Sequence, residues 1–116
     1  MVSDDNGSWD VGPVAAKDLG FAQSFEIIGM HYPGTAPKQV DNWKACLATG
    51  KPLWGSEIGS AHYNGGAAGL AKMYNQGYVD SKMTAYINWS TIWSVVAGLP
   101  YSGDGLMLAS EPWSGH

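Results

Sequence analysis

Short runs of apolar residues alternate along this chain with longer stretches in which apolar positions recur every three or four residues. Val2-Ser3-Asp4-Asp5 reads as a strand that ends in two acids. Phe25-Glu26-Ile27-Ile28-Gly29-Met30 is almost continuously apolar, as expected of a parallel strand covered on both faces. Lys51 to Trp54 predicts a third short buried strand with a proline at its start, where a missing donor is tolerated. Met83 to Trp89 predicts a fourth, with Met83, Ala85, Ile87 and Trp89 on one face. Between these runs the period changes to that of a helix. Pro13 suits a first helical position and Gly20 a C-terminal stop. Pro37 to Thr49 places Val40, Trp43 and Leu47 on one side, with Gly50 as the stop and Trp43 as core. Ala67 to Gln76 places Leu70, Met73 and Tyr74 together, with Gly77 as its end. Ile92, Trp93, Val95 and Val96 read as a further packed segment, followed by a turn-rich loop from Gly98 to Asp104. Strand and helix in strict alternation predict an α/β fold on a parallel sheet.

At 116 residues the chain has the length of one small domain, well short of the ~250 residues typical of a complete (β/α)8 barrel. It opens almost directly on a strand and stops after Glu111-Pro112-Trp113-Ser114-Gly115-His116 without an end signal. The expectation is therefore a piece of a barrel, with no second domain. A formal net charge of -4 argues against nucleic acid, whose binding needs a basic patch. No apolar run is long enough to span a bilayer, and no signal-peptide pattern is present. Cys46 is the only cysteine; it reads as a small buried apolar side chain on a helix. The three histidines are scattered and lack ligand spacing, so neither metal nor cofactor is expected. Asn6-Gly7-Ser8 is an N-glycosylation sequon in a turn. Asn88-Trp89-Ser90 is another, at a strand end expected to be buried and so unmodified.

The chemistry collects at strand ends. Gly55-Ser56-Glu57-Ile58-Gly59-Ser60 sets one carboxylate among small residues just past a strand, which is how barrel enzymes present a catalytic group. The residues alone leave two readings of Glu57, the nucleophile of a retaining β-glycosidase or a surface glutamate on a strand-to-helix loop. His31, in His31-Tyr32-Pro33-Gly34-Thr35, either binds a substrate hydroxyl or orients a carboxylate, or else is a buried ring satisfied by backbone. Asp4 and Asp5 either hold a loop, the preferred reading, or face a pocket. Six tryptophans and six tyrosines, many beside glycine or serine, suit either a core or a sugar site.

Several segments together resemble the galactocerebrosidase (galactosylceramidase) family of lysosomal glycosidases. They are Ile28 through Thr35, Gly50-Lys51-Pro52-Leu53-Trp54-Gly55-Ser56-Glu57, Asn75-Gln76-Gly77-Tyr78-Val79, Met83-Thr84 with Ile87 through Trp89, Leu99-Pro100-Tyr101, and Gly105-Leu106-Met107 through Glu111 to His116. They follow family order and spacing over nearly the whole chain. The resemblance implies the second half of a (β/α)8 TIM barrel, strands five to eight, in an enzyme that hydrolyses galactosylceramide with retention. It implies Glu57 as nucleophile and Ser60 and Trp89 as lining of the galactose pocket, with His31 and Tyr101 on motifs near it. It also implies a cis peptide between Trp89 and Ser90. A galactolipid substrate, a lipid-presenting activator protein and a lysosomal or secreted location come with it.

Two departures qualify the match. Related sequences often place Asp-Phe after the glutamate, where this chain has Ile58-Gly59, so the sugar-flanking loop and the exact specificity are open. The family's acid/base glutamate follows an asparagine at the end of strand four, and this chain begins after that point. Glu26 is too early on its strand, Glu111 lies in the tail, and Asp5 is at the correct end but two strands away. Retaining hydrolysis needs two carboxyl groups about 5–5.5 Å apart, so the chain by itself is expected to turn over negligibly and to pair through exposed sheet edges. The competing readings are a non-catalytic carbohydrate-binding half barrel and a relative acting on another β-glycoside, such as a glucosylceramide or a plant galactan.

Overall fold

The computed structural model describes residues 1–33, 39–59, 63–98, 100 and 105–109, with backbone alone over 63–66. In chain order the elements are β1 (Val2–Asp5), α1 (Val11–Lys17), α2 (Leu19–Gln23), β2 (Ile27–His31), α3 (Val40–Ala48), β3 (Leu53–Ile58), α4 (Tyr63–Val79), β4 (Met83–Asn88), β5 (Ile92–Ser94) and β6 (Met107–Ala109). The first four strands form one sheet in the order β1-β2-β3-β4, and every neighbouring pair is parallel. Parallel neighbours require crossovers, and α1 to α4 supply them. The α/β alternation is as the apolar pattern predicts, and a four-stranded parallel sheet in sequential order is compatible with part of a barrel.

Ile28 and Met30 of β2 are fully buried. They pack with Trp9, Val11, Ala15, Phe25, Cys46, Leu53 and Met83 in a single core between the sheet and its helices. Trp43 packs on the rim of that core, and its Nε1 donates to the Ser81 carbonyl at 3.0 Å, fixing α3 to the turn after α4. Gly50 ends the α3 segment at φ +70°, in the left-handed region that glycine adopts without a Cβ penalty.

Several boundaries differ from expectation, each for a tertiary or capping reason. Gly20 does not stop a helix. The break falls at Asp18, whose Oδ1 accepts from the Phe21 N–H at 2.9 Å and so starts α2; Gly20 lies inside it. β3 starts later than Lys51 and runs on to Ile58, so Glu57 is in the strand and not beyond it. Gly77 does not end α4, which continues to Val79. A Cβ at Gly77 would collide with the Tyr86 hydroxyl; the glycine makes room for a ring from β4. Residues Ile92 to Ser94 are not a packed continuation of the core. They pair in parallel with Met107 to Ala109 as a separate two-stranded sheet, and Ile92, Val95 and Val96 are exposed. Among the described residues, no helix is long and apolar enough to cross a membrane.

Candidate active site

Because all four strands of the main sheet run the same way, their C-terminal ends form one edge. That edge carries Asp4 and Asp5 on β1, His31 on β2, Glu57 on β3 and, just past β4, Trp89. Side chains alternate across a sheet. With Ile28 and Met30 committed to the helix side, Gly29 and His31 face the other way. Gly29 has no side chain, and over it Ser56 on β3 donates its Oγ hydrogen to Asp4 Oδ1 on β1, two strands away. A Cβ on Gly29 would lie 2.7 Å from Asp4 Oδ1 and 2.8 Å from Ser56 Oγ.

The register explains how Ser56 and Glu57, adjacent in sequence, both serve this face. Met30 pairs with Gly55, but His31 pairs with Glu57, leaving Ser56 as an extra residue. Against β4 the same stretch is again irregular, between Gly55 and Ile58. A bulge of this kind re-aims a side chain, and here it turns Glu57 toward β2. Glu57 Oε1 accepts from the Tyr32 hydroxyl at 2.9 Å. Glu57 Oε2 lies 3.6 Å from His31 Nδ1, and His31 Nε2 lies 2.8 Å from Asp4 Oδ2. A continuous polar row results: Ser56, Asp4, His31, Glu57, Tyr32. The Glu57 and His31 side chains are each roughly 30 % exposed, at 30% and 27%, so they are open to a ligand.

Trp89 N–H donates to the Ile58 carbonyl at 2.7 Å, which places its backbone beside the end of β3. Its indole lies against Trp93, with ring centroids 5.3 Å apart and planes inclined by 44°. The peptide bond between Trp89 and Ser90 is cis, as the family resemblance implies. Gly59 fills the space between the Trp89 carbonyl, 3.5 Å from its ideal Cβ position, and the Tyr32 ring edge, 3.7 Å away. The Asn88 side chain is half-buried and donates to the Ser90 carbonyl at 3.3 Å, whereas Asn6 is exposed in the turn after β1.

Glu57, His31 and Trp89 are thus brought to one edge. Ser60 and Tyr101, the other two expected pocket residues, lie outside the described residues, as do Gly34, Thr35, Leu99 and Glu111. Among the described residues of this row, Tyr32 is not singled out by the sequence, and Asp4 takes the second of its two readings, facing the pocket, and not the preferred one. The signal for Tyr32 was its place directly after His31 at a strand end. The signal for Asp4 was the same end position on β1, but the loop-holding reading suits only its neighbour. Asp5 accepts from the Asp10 N–H at 2.6 Å and from Ser8 Oγ at 3.0 Å. Among the described residues, no group of three or more histidine, cysteine, aspartate or glutamate side chains is arranged to hold a metal ion.

A carboxylate fixed at the end of a parallel strand, with a tyrosine on one oxygen and a histidine beside the other, is equipped to attack an electrophilic carbon. The comparison with known proteins gives the family. The family model for Glycosyl hydrolase family 59 matches residues 1–116. The chain belongs to that family. Over 112 residues it is 40% identical to galactocerebrosidase of Danio rerio, covering 96% of this chain and 16% of that protein. Over 117 residues it is 35% identical to galactocerebrosidase of Homo sapiens, covering 100% of this chain and 16% of that protein. With galactocerebrosidase of Mus musculus it shares 42% identity over 92 residues, covering 78% of this chain and 13% of the relative. The chain therefore spans about a sixth of the length of the curated relatives it matches.

Proposed function

We propose that residues 1–116 are strands five to eight of the (β/α)8 barrel of a retaining β-galactosidase that cleaves galactosylceramide, with Glu57 as its nucleophile. The observation that carries this reading is the placement of Glu57. It stands at the C-terminal end of a parallel strand, where barrel enzymes assemble their chemistry, with one oxygen bonded to Tyr32 and the other facing His31. Membership of a glycosyl hydrolase family supports the reaction class. The names of the relatives support the galactosyl lipid.

In this mechanism a Glu57 oxygen attacks the anomeric carbon while the bond to the ceramide oxygen breaks, forming a glycosyl ester. A second carboxyl group protonates the leaving oxygen, then takes a proton from the water that attacks the ester and releases galactose. The family resemblance implies that the second carboxyl is a glutamate at the end of strand four, outside residues 1–116; within them, Asp4 is bonded to Ser56 and His31. Trp89, supported by Trp93, offers an aromatic surface to the apolar face of the sugar. His31, Ser60 and Tyr101 complete the pocket. A lipid substrate calls for presentation by an activator protein, and the lysosome or the extracellular space is the expected location.

The test is made on the full-length polypeptide containing this chain. A 2-fluorinated β-galactosyl donor with an activated leaving group should esterify Glu57, identified by peptide mass. Glu57→Gln should abolish both labelling and release of galactose from galactosylceramide. Labelling elsewhere, or activity surviving in Glu57→Gln, would refute the assignment. Faster cleavage of glucosylceramide than of galactosylceramide would move the substrate to another β-glycoside, and galactose binding without turnover would leave a carbohydrate-binding module.

A further inference from the structure

We propose that Asp4 is a positioning residue for Glu57, acting through the His31 ring. The inference rests on the reading of Glu57 as nucleophile and adds a residue two strands away to its machinery. Among the described residues, His31 is the group between the two carboxylates in the polar row: Nε2 is 2.8 Å from Asp4 Oδ2 and Nδ1 is 3.6 Å from Glu57 Oε2. The second distance is beyond hydrogen-bond length, so His31 acts on Glu57 through ring placement. Ring placement has to come from somewhere. The side chain is 27% exposed, so packing leaves its torsions partly free; the Tyr32 ring meets it edge-on with centroids 6.3 Å apart, and the hydrogen bond to Asp4 is the polar contact that sets the ring plane. An aspartate that orients a histidine toward a reacting group is a recurrent chemical device, here applied to a carboxylate nucleophile.

Asp4 is itself held. Its other oxygen takes the Ser56 hydroxyl, and Ser56 is the residue immediately before Glu57, at the bulge that aims it. Asp4 thus ties the histidine beside the nucleophile to the strand carrying the nucleophile. Gly29 is what permits the tie, since any side chain there would stand between Asp4 and Ser56. The neighbouring Asp5, by contrast, is occupied with Ser8 and the Asp10 N–H, so the two acids of β1 do different work.

The experiment reads the rate of Glu57 esterification by the fluorinated galactosyl donor in the full-length polypeptide, in a double-mutant cycle of Asp4→Asn and His31→Gln. Asp4→Asn keeps the side-chain shape and removes the charge. It should slow the labelling step by about tenfold or more, in line with the sensitivity of such reactions to misplacement, with half-saturation by the donor and thermal midpoint little changed. His31→Gln should slow it comparably. The pair should be no slower than His31→Gln alone, because Asp4 then has nothing to act through. Wild-type labelling by Asp4→Asn, or multiplicative losses in the pair, would overturn the proposal. If Asp4→Asn does not fold, Ser56→Ala takes its place in the cycle. It releases Asp4 from its anchor, and its loss should likewise vanish in the His31→Gln background; a loss that persists there overturns the proposal. Labelling that continues in Glu57→Gln would instead sink the nucleophile assignment, whatever Asp4 does.

Discussion

The most direct structural perturbation of the site is one carbon atom at Gly29. An alanine Cβ there would lie 2.7 Å from Asp4 Oδ1, 2.8 Å from Ser56 Oγ and 2.9 Å from Ser56 Cβ. The two oxygens can rotate away, but doing so breaks the bond between them. The Ser56 Cβ cannot rotate, so β3 must also move relative to β2. Forced overpacking of this kind costs roughly 1–3 kcal/mol. A hydrogen bond to a charged group contributes about 1.5–3 kcal/mol when buried, and less than that here, because the Asp4 side chain is 45% exposed. Against this, replacing glycine by alanine restricts the unfolded chain and returns about 0.4–1 kcal/mol where the backbone is compatible. The losses win, and Gly29→Ala should destabilise by about 2 kcal/mol. It should also slow esterification of Glu57 about tenfold or more, since a displaced Asp4 no longer fixes His31. Urea unfolding monitored by tryptophan fluorescence, together with labelling kinetics on the full-length polypeptide, measures both. An alanine variant with unchanged midpoint and unchanged labelling would show that nothing of consequence crosses β2 at this point.

Two further outcomes test the packing behind the sheet. Gly69 and Gly77 lie in the same helix, yet a Cβ meets nothing within 4 Å at Gly69 and meets the Tyr86 hydroxyl at Gly77. Gly69→Ala should therefore stabilise by about 1 kcal/mol through helix propensity. Gly77→Ala should destabilise by about 1–2 kcal/mol despite the same gain, because Tyr86 is also confined by Tyr74 at 4.9 Å between centroids; equal signs in thermal unfolding would refute the close approach. Burial pushes the Cys46 thiol up to about 11 from 9.0, so folding favours its neutral form. Its contribution is complete below about pH 9 and is lost as pH rises to about 11. The stability advantage of the native chain over Cys46→Ala should shrink by about 3 kcal/mol across that window, and parallel pH profiles of the two unfolding midpoints would contradict it.

The fold was legible wherever one local rule decided it. Apolar runs broken by helical periods gave the parallel α/β sheet, and the small residues around Glu57 marked a strand end. Failures came where packing or a side-chain cap overruled the local rule. Gly77 reads as a helix end, because only the Tyr86 ring from β4 reveals why a glycine stands mid-helix. Gly20 reads as a stop, because the glycine rule is blind to the Asp18 side chain that caps α2 two residues earlier. Ile92, Val95 and Val96 read as core on hydrophobicity alone, but the segment joins a two-stranded sheet and leaves them exposed. In the candidate site, the strand-end positions of Glu57 and His31 were readable, while the residues alone left two readings of each. Their contact was not readable, since it depends on a one-residue bulge at Ser56 that no composition rule announces.

That bulge and the plain alternation of β1 act together. On an unbroken strand, adjacent residues face opposite ways, which is how Asp4 reaches Ser56 and His31 while Asp5 turns to Ser8 and Asp10. On β3 the same rule would send Ser56 and Glu57 to opposite faces. The extra residue cancels it, so Ser56 can hold Asp4 while Glu57 meets Tyr32 and faces His31. One strand keeps its pleat and separates two acids into two tasks; the next breaks its pleat and gathers two residues into one. The polar row exists only because both happen at the same end of the sheet, over a glycine that leaves the space between them empty.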